Sequence, residues 1–582
     1  MALPSVDPGR VASGPAALPE ASVAAYLSAM ARQQPDALAV IVQQGHGGYQ
    51  RCTFQQLDRA SDELAAGLVR AGIARGRRAA LMVNPGVEFV TLAFALFKAG
   101  AVPVLIDPGL GIKNLGACLD DAEPEAFIGV PKAHAARVLL GWARNSVRTL
   151  VTVGRRWFWG GHTLGALREL GATAGAAPGA PSVPGDGRAG TEVLAHAGHA
   201  APAAILFTSG STGAPKGAVY TQANFIAQLE ALREVYGIRP GEVDLATFPL
   251  FALFGPALGM TSIIPDMDAS RPAQADPHKL LAAIRDWKAT SLFGSPALLE
   301  RLGRYGEAHG EKLPSLRRAI AAGAPVGRKN LERFAGLLAP GAQVFTPYGA
   351  TEALPIASLG SDEILKETGA LAAQGKGVCV GRPVNGVRLA IIRITDEPIP
   401  IWSAELLQPA GEIGEIAVQG PLVTRSYYGR PDATALAKIR EPAGDAFWHR
   451  MGDVGYLDAA GRLWMCGRKS HRVVTPAATL YTVPCEGVFN VHPMVFRSAL
   501  VGVGPSGAQR AVLCVEREQF SRAGGGADED LARELLEMAR SQPMTQSIER
   551  VLFHPGFPVD VRHNAKISRE QLAAWAAGVC CR

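Results

Sequence analysis

The chain has 582 residues, with 58 Lys plus Arg against 52 Asp plus Glu, a formal charge of +6, and 48% hydrophobic residues. So small a surplus over that length, with no block of like charges, excludes a dedicated nucleic-acid binder, and the apolar content excludes fibrous, collagenous and wholly disordered chains. The length predicts roughly two to four folding units.

The opening MALPSVDPGRVASG lacks the cationic start and apolar stretch of a signal peptide. No segment reaches ~18 uninterrupted apolar residues, so a cytoplasmic protein without a transmembrane segment is expected. Apolar spacing predicts a helix over Phe54 to Ala71, a strand over Ala79 to Val83, a helix over Val87 to Ala99 and a strand over Val102 to Ile106. Strand, helix, strand implies a parallel sheet with crossovers. Residues 172–202, almost entirely Ala, Gly, Pro and Ser, read as a mobile surface insertion. The adjoining Arg155 to Gly161 (RRWFWGG) is expected to pack its aromatics beneath that insertion, a membrane-touching patch being the alternative.

Next comes an apolar strand, Ala203 to Phe207, running into Thr208, Ser209, Gly210, Ser211, Thr212, Gly213, Ala214, Pro215, Lys216 and Gly217. A helix follows Thr221, with Phe225, Ile226, Leu229 and Leu232 on one face. Glycines let backbone N–H groups close around phosphate oxygens, hydroxyls add donors, and Lys216 adds charge. The loop suits a polyphosphate. It is not a Walker A loop, because Lys216 sits between Pro215 and Gly217. Trp448 to Trp464 reads as two strands joined by a turn at Asp458 to Gly461, and a second boundary falls near Cys466 to Arg468. The remaining residues, with a strand at Ala499 to Val503 and a helix at Asp528 to Arg540, suffice for a small α+β tail. The eight scattered cysteines are expected to be free thiols, without zinc spacing.

The phosphate loop resembles that of the adenylate-forming superfamily, which includes acyl-CoA synthetases, luciferases and nonribosomal adenylation domains. Further matches follow in the superfamily's order: Gly323-Ala324-Pro325 after Ala322, Tyr348-Gly349-Ala350-Thr351-Glu352, Asp453 with Arg468, and Lys566 in the segment Asn564 to Ile567. The resemblance implies an α/β fold: a large N-terminal adenylation domain of mixed and parallel sheets (1–467) and a small mobile α+β C-terminal domain (468–582). It implies ATP and Mg²⁺, with Glu352 as metal ligand and Thr351 toward the α-phosphate. It also implies the Gly323 to Pro325 turn and the Tyr348 ring at the adenine, Asp453 and Arg468 at the ribose, and Lys566 as catalytic cation. Carboxylate chemistry agrees, since a Glu oxygen suits Mg²⁺ and an Asp accepts from two hydroxyls. His563 is a weaker candidate base.

Departures narrow the reading. The segment after Arg468, Lys469 to Thr479, has no glycine and carries Pro476 where thiol-accepting relatives keep a flexible loop. Ala252 stands where many relatives have His, turning Phe248 to Met260 into an aromatic and apolar wall suited to a hydrocarbon chain. With Pro265 to Pro272 and the ending Arg562 to Ile567, the chain is most similar to the olefin β-lactone synthetases. That resemblance implies a long-chain 2-alkyl-3-hydroxyalkanoate whose own hydroxyl attacks the acyl adenylate, and assembly with a lactone decarboxylase and a reductase. A long-chain fatty acyl-CoA ligase is the enzymatic alternative, and a non-catalytic assembly subunit is the third.

Overall fold

The computed structural model describes residues 22–45, 47–172, 200–208, 214–248, 251–518, 526–559 and 566–580. Helix Phe54–Arg70 begins where Thr53 and Gln56 cap each other reciprocally, at 3.2 and 2.9 Å. Its apolar stripe, Leu57, Leu64 and Leu68, is buried against helix Val87–Lys98, and the buried Lys98 ammonium reaches Asp58 and Asp62 at 2.7 Å each. That second helix is buried nearly all round and connects the parallel strands Arg78–Met82 and Val102–Leu105.

These strands belong to a seven-stranded sheet in the order His162–Thr163, Thr149–Thr152, Ala126–Gly129, Arg78–Met82, Val102–Leu105, Pro202–Phe207, Gly217–Thr221. All its neighbours are parallel except the last pair. A second, 14-stranded sheet has a parallel region through Thr261–Ile264, Val243–Ala246, Ser291–Gly294, Arg318–Ala321 and Gln343–Ala350, and continues antiparallel to Leu463–Arg468 and Phe447–Leu457. Ligands of open α/β sheets lie beyond the carboxyl ends of such strands. Here Asp107, Thr208, Thr247, Pro265, Ser295 and Ala322 follow those ends and line one cavity.

The tail has its own sheet, Val495–Val503, Arg510–Arg517 and Arg550–Phe553. Alternation along one strand serves both faces: Leu500 joins the core under helix Gly526–Arg540, while Ala499 and Val501 join the core under helix Arg569–Cys580. Residues 173–199 of the expected insertion lie outside the described residues. On either side of them, Ala172 closes helix Leu164–Ala172 and Pro202 opens strand Pro202–Phe207. Seven of the cysteines are free thiols, and Cys581 is outside the described residues. Among the described residues no helix is long and apolar enough to cross a membrane.

Candidate active site

The base of the expected phosphate loop is closed by backbone. Thr208 N–H donates to Lys216 O at 3.0 Å, and Lys216 N–H to Thr208 Oγ1 at 3.3 Å. Ser209, Gly210, Ser211, Thr212 and Gly213 lie outside the described residues. Lys216 Nζ stands 5.3 Å over the Tyr427 ring, an ammonium on a π face. Tyr427 is there because its segment is laced to the returning strand: Val219 N–H donates to Ser426 O at 3.0 Å and Tyr428 N–H to Gly217 O at 2.8 Å.

Thr351 and Glu352 form the two-residue turn between strands Gln343–Ala350 and Ala353–Gly360, where Ala350 pairs with Ala353. Both turn carbonyls are held, Thr351 O by the Tyr220 hydroxyl and Glu352 O by Thr424 N–H at 2.9 Å. The Tyr427 hydroxyl then donates to Glu352 Oε1 at 2.5 Å. Burial and the Glu352 charge push the Tyr427 pKa far above the usual tyrosine range, so it remains a donor. Gly349 is required in this hairpin, because a Cβ there would lie 2.6 Å from Ala353 O.

Lys438 lies behind the turn. Its buried ammonium donates to Thr424 O, on the residue whose N–H holds Glu352. Burial pulls its pKa down to about 7 against the opposing pull of Glu352. Its cross-strand partner His449 is driven well below the usual histidine value by burial and then by Lys438 and Lys216. His449 Nδ1 meets Ala437 O at 3.2 Å, so Nδ1 carries the proton, and the residue lines the cavity.

Asp453 and Arg468 face each other across adjacent strands. Tyr348 Oη donates to Asp453 Oδ2 at 2.8 Å, and Arg468 Nε stands 3.1 Å from Oδ1. That approach satisfies ion-pair distance without directing a hydrogen bond at Oδ1, which is buried and unpartnered. A buried acceptor of this kind is suited to a ligand hydroxyl. Burial raises the Asp453 pKa, while Arg468, the Tyr348 hydroxyl and Lys566 lower it. Lys566 is thus within electrostatic reach of the carboxylate, and it lines the same cavity. His563, Asn564 and Ala565 are outside the described residues. Gly323, Ala324 and Pro325 also line the cavity, and Gly323 has a φ of 103° that glycine tolerates without strain.

The cavity measures about 2420 Å³, well above the ~300–1,000 Å³ of a drug-sized pocket. Phe248, Phe251, Phe254 and Phe293 form part of its wall, with Phe251 stacked on Phe293 at 3.6 Å and 9°. Ala252 does not form this wall, contrary to the sequence expectation. Helix Phe251–Ala257 turns it into the core at 0% exposure, while Phe251 and Phe254, three positions apart, face the cavity. The glycine-free segment after Arg468 forms a hairpin, Val473–Val474 with Thr479–Leu480, whose turn is closed by Thr475 N–H to Ala478 O at 3.0 Å.

All described candidate residues therefore reach one cavity. The sequence reading missed Tyr220, Tyr427, Lys438 and His449. Nothing in the sequence around these four residues marks them, since Lys438 sits in the short strand Lys438–Arg440 with a second cation and the tyrosines look like ordinary turn and core residues in one dimension.

The family model for AMP-binding enzymes matches residues 27–428. The chain belongs to the AMP-binding enzyme family. This AMP-binding enzyme is 49% identical over 565 residues to an olefin β-lactone synthetase of Xanthomonas campestris, covering 96% of this chain and 97% of the relative. It is 48% identical over 567 residues to an olefin β-lactone synthetase of Stenotrophomonas maltophilia, covering 96% and 98%. It is an AMP-forming ligase and groups with the olefin β-lactone synthetases. Among solved structures, ATP-bound MatB from Rhodopseudomonas palustris superposes with a TM-score of 0.73 at 21% identity, over 96% of this chain and 99% of that one. That likeness supports the fold of a large domain plus a small C-terminal domain.

Proposed function

We propose that this AMP-binding enzyme activates a long-chain 2-alkyl-3-hydroxyalkanoate as its acyl adenylate and that the substrate's own 3-hydroxyl then closes a cis-β-lactone. The observation that carries this reading is the one cavity that joins a charged, nucleotide-suited end at Lys216, Glu352, Asp453 and Lys566 to a wall of stacked phenylalanines. Burial of a hydrocarbon chain along that wall contributes about 0.8 kcal/mol per CH₂.

In the first step a substrate carboxylate oxygen bonds to the α-phosphorus of ATP and the bond to pyrophosphate breaks. Asp453 Oδ1 accepts from the ribose hydroxyls, with Tyr348 and Arg468 fixing the carboxylate. The Gly323 to Pro325 turn and Tyr348 border the adenine, while Thr351 and the phosphate loop from Thr208 to Lys216 meet the phosphates. Lys566 balances the negative charge that gathers between carboxylate and α-phosphate. Glu352 would give a carboxylate oxygen to Mg²⁺ alongside the nucleotide's own oxygens. Bound there, Mg²⁺ supplies charge neutralisation on the phosphates.

In the second step the 3-hydroxyl oxygen bonds to the acyl carbon, the bond to AMP breaks, and the hydroxyl proton is released. Tethering the nucleophile provides the effective concentration that a separate acceptor would lose on binding. Residues 468–582 act as a mobile domain that carries Lys566. The enzyme works in the cytoplasm beside a reductase that supplies the 3-hydroxy acid and a lactone decarboxylase that consumes the β-lactone.

The test is incubation with ATP, Mg²⁺ and a racemic 2-alkyl-3-hydroxy acid without coenzyme A. The expected products are AMP and a β-lactone visible by NMR. A thioester formed only when coenzyme A is added, with no lactone in its absence, would reject the proposal.

A further inference from the structure

Helix Pro131–Leu140 and the loop after strand Thr149–Thr152 form an unusual surface. Trp159 anchors the loop: its ring stacks on the buried His134 at 5.1 Å and 11°, and its Nε1 donates to Thr152 Oγ1 at 2.9 Å. Its neighbours point outward, Trp157 at 53% and Phe158 at 78% exposure. The helix ends in Val138, Leu139 and Leu140, exposed by 43%, 83% and 52%, with Val138 one turn beyond His134 on the same face. Single exposed apolar residues are ordinary, but five large ones on one helix end and one anchored loop are not.

The loop itself is cationic: Arg155 and Arg156, both exposed, immediately precede the aromatic pair, and neither is ion-paired with a described residue. On the inner side of helix Pro131–Leu140, Lys132, Ala133 and Ala136 line the large cavity.

We infer that this patch docks the enzyme on an anionic lipid bilayer, with Trp157 and Phe158 entering the headgroup boundary and the surrounding arginines meeting acidic headgroups. Amphipathic aromatics beside cations are the surface chemistry that bilayer interfaces retain. A protein partner would require matching acidic groups, whereas a negatively charged leaflet supplies them everywhere. The surface sits on the back of a helix that borders the cavity, so a docked enzyme holds that cavity close to the layer in which long-chain acids dissolve.

The experiment is co-sedimentation of the full-length protein, without ATP or acid, on phosphatidylcholine vesicles with and without about one third phosphatidylglycerol. Binding is expected on the anionic vesicles, at least about tenfold weaker on neutral ones, and weakened by salt. The double variants W157A/F158A and R155E/R156E should each lose binding by about tenfold or more while keeping the wild-type melting temperature and the wild-type rate of AMP release on a short soluble acid. Wild-type protein that ignores anionic vesicles, or variants that bind them as the wild type does, overturns the inference. Loss of capture by a purified partner enzyme in W157A/F158A, with vesicles ignored by all forms, reassigns the patch to a protein interface. Because the readout needs no turnover, it stands or falls separately from the lactone reading.

Discussion

Tyr348 and Asp453, 105 positions apart in the chain, meet through a 2.8 Å hydrogen bond at Oδ2, while the buried Oδ1 lies 3.1 Å from Arg468 Nε. Tyr348 therefore contributes a hydroxyl as well as a ring. Replacing it as Tyr348→Phe keeps the ring and leaves Asp453 Oδ2 unpartnered, at a cost of about 1–3 kcal/mol. KM for ATP should rise by roughly five- to a hundredfold with a smaller change in kcat. Calorimetric ATP affinity equal to wild type would remove the tyrosine from the nucleotide site.

Lys566 faces the same carboxylate from the tail. Lys566→Ala should slow adenylation by about 10²–10³, or 3–4 kcal/mol, while ATP still binds within a factor of about three. Pyrophosphate exchange driven by the acid separates the two effects. An exchange rate within about threefold of wild type is incompatible with a charge-stabilising role.

Lys438 makes stability depend on pH. Its folded pKa of about 7 lies below the ordinary 10.5, so between those values the unfolded chain carries a proton that the folded chain lacks. Folding is then favoured more strongly as pH rises, by at most about 1.4 kcal/mol per unit, and below about pH 7 this slope vanishes. Buried thiols such as Cys118, pushed up to about 12, act oppositely above the ordinary thiol range, so the comparison belongs between pH 7 and 9. In urea unfolding, the stability of wild type relative to Lys438→Met should increase across that window. A difference independent of pH would mean that Lys438 stays charged.

Gly467 precedes Arg468 with a φ of 130°, and a Cβ there would lie 2.4 Å from Thr482 Oγ1 on the first helix of the tail. Gly467→Ala should cost about 1–3 kcal/mol and raise KM for ATP by displacing Arg468. Gly461→Ala is the control, since its φ of 73° is also strained but nothing lies within 4 Å of its Cβ. Equal melting temperatures for the two variants would show that the contact with Thr482 yields freely.

Phe251 carries the prediction for the acyl end. Phe251→Ala removes a ring stacked on Phe293, and kcat/KM for a long-chain acid should fall by about 10- to 100-fold, equivalent to roughly 1.5–3 kcal/mol of lost burial. A short acid that does not reach the ring should change by less than about threefold. A chain-length series that falls uniformly would place the hydrocarbon elsewhere.

The elements themselves were legible one-dimensionally because local rules determine them. Thr53 with Gln56 starts a helix, and apolar runs bounded by Asn-Pro-Gly or Asp-Pro-Gly become buried strands. The order of motifs was likewise sufficient to select Lys216, Glu352, Asp453 and Lys566. What only tertiary structure decided is what those residues lean on. Tyr427 reaches Glu352 because a strand at 217–219 pairs with a segment some 200 positions away, and Lys438 matters because folding strips water from an ammonium whose sequence context is unremarkable. Helix phase, not residue type, turned Ala252 inward and Phe251 outward. Long-range pairing, desolvation and helix phase are properties of the packed chain, so no reading of neighbours along the sequence contains them.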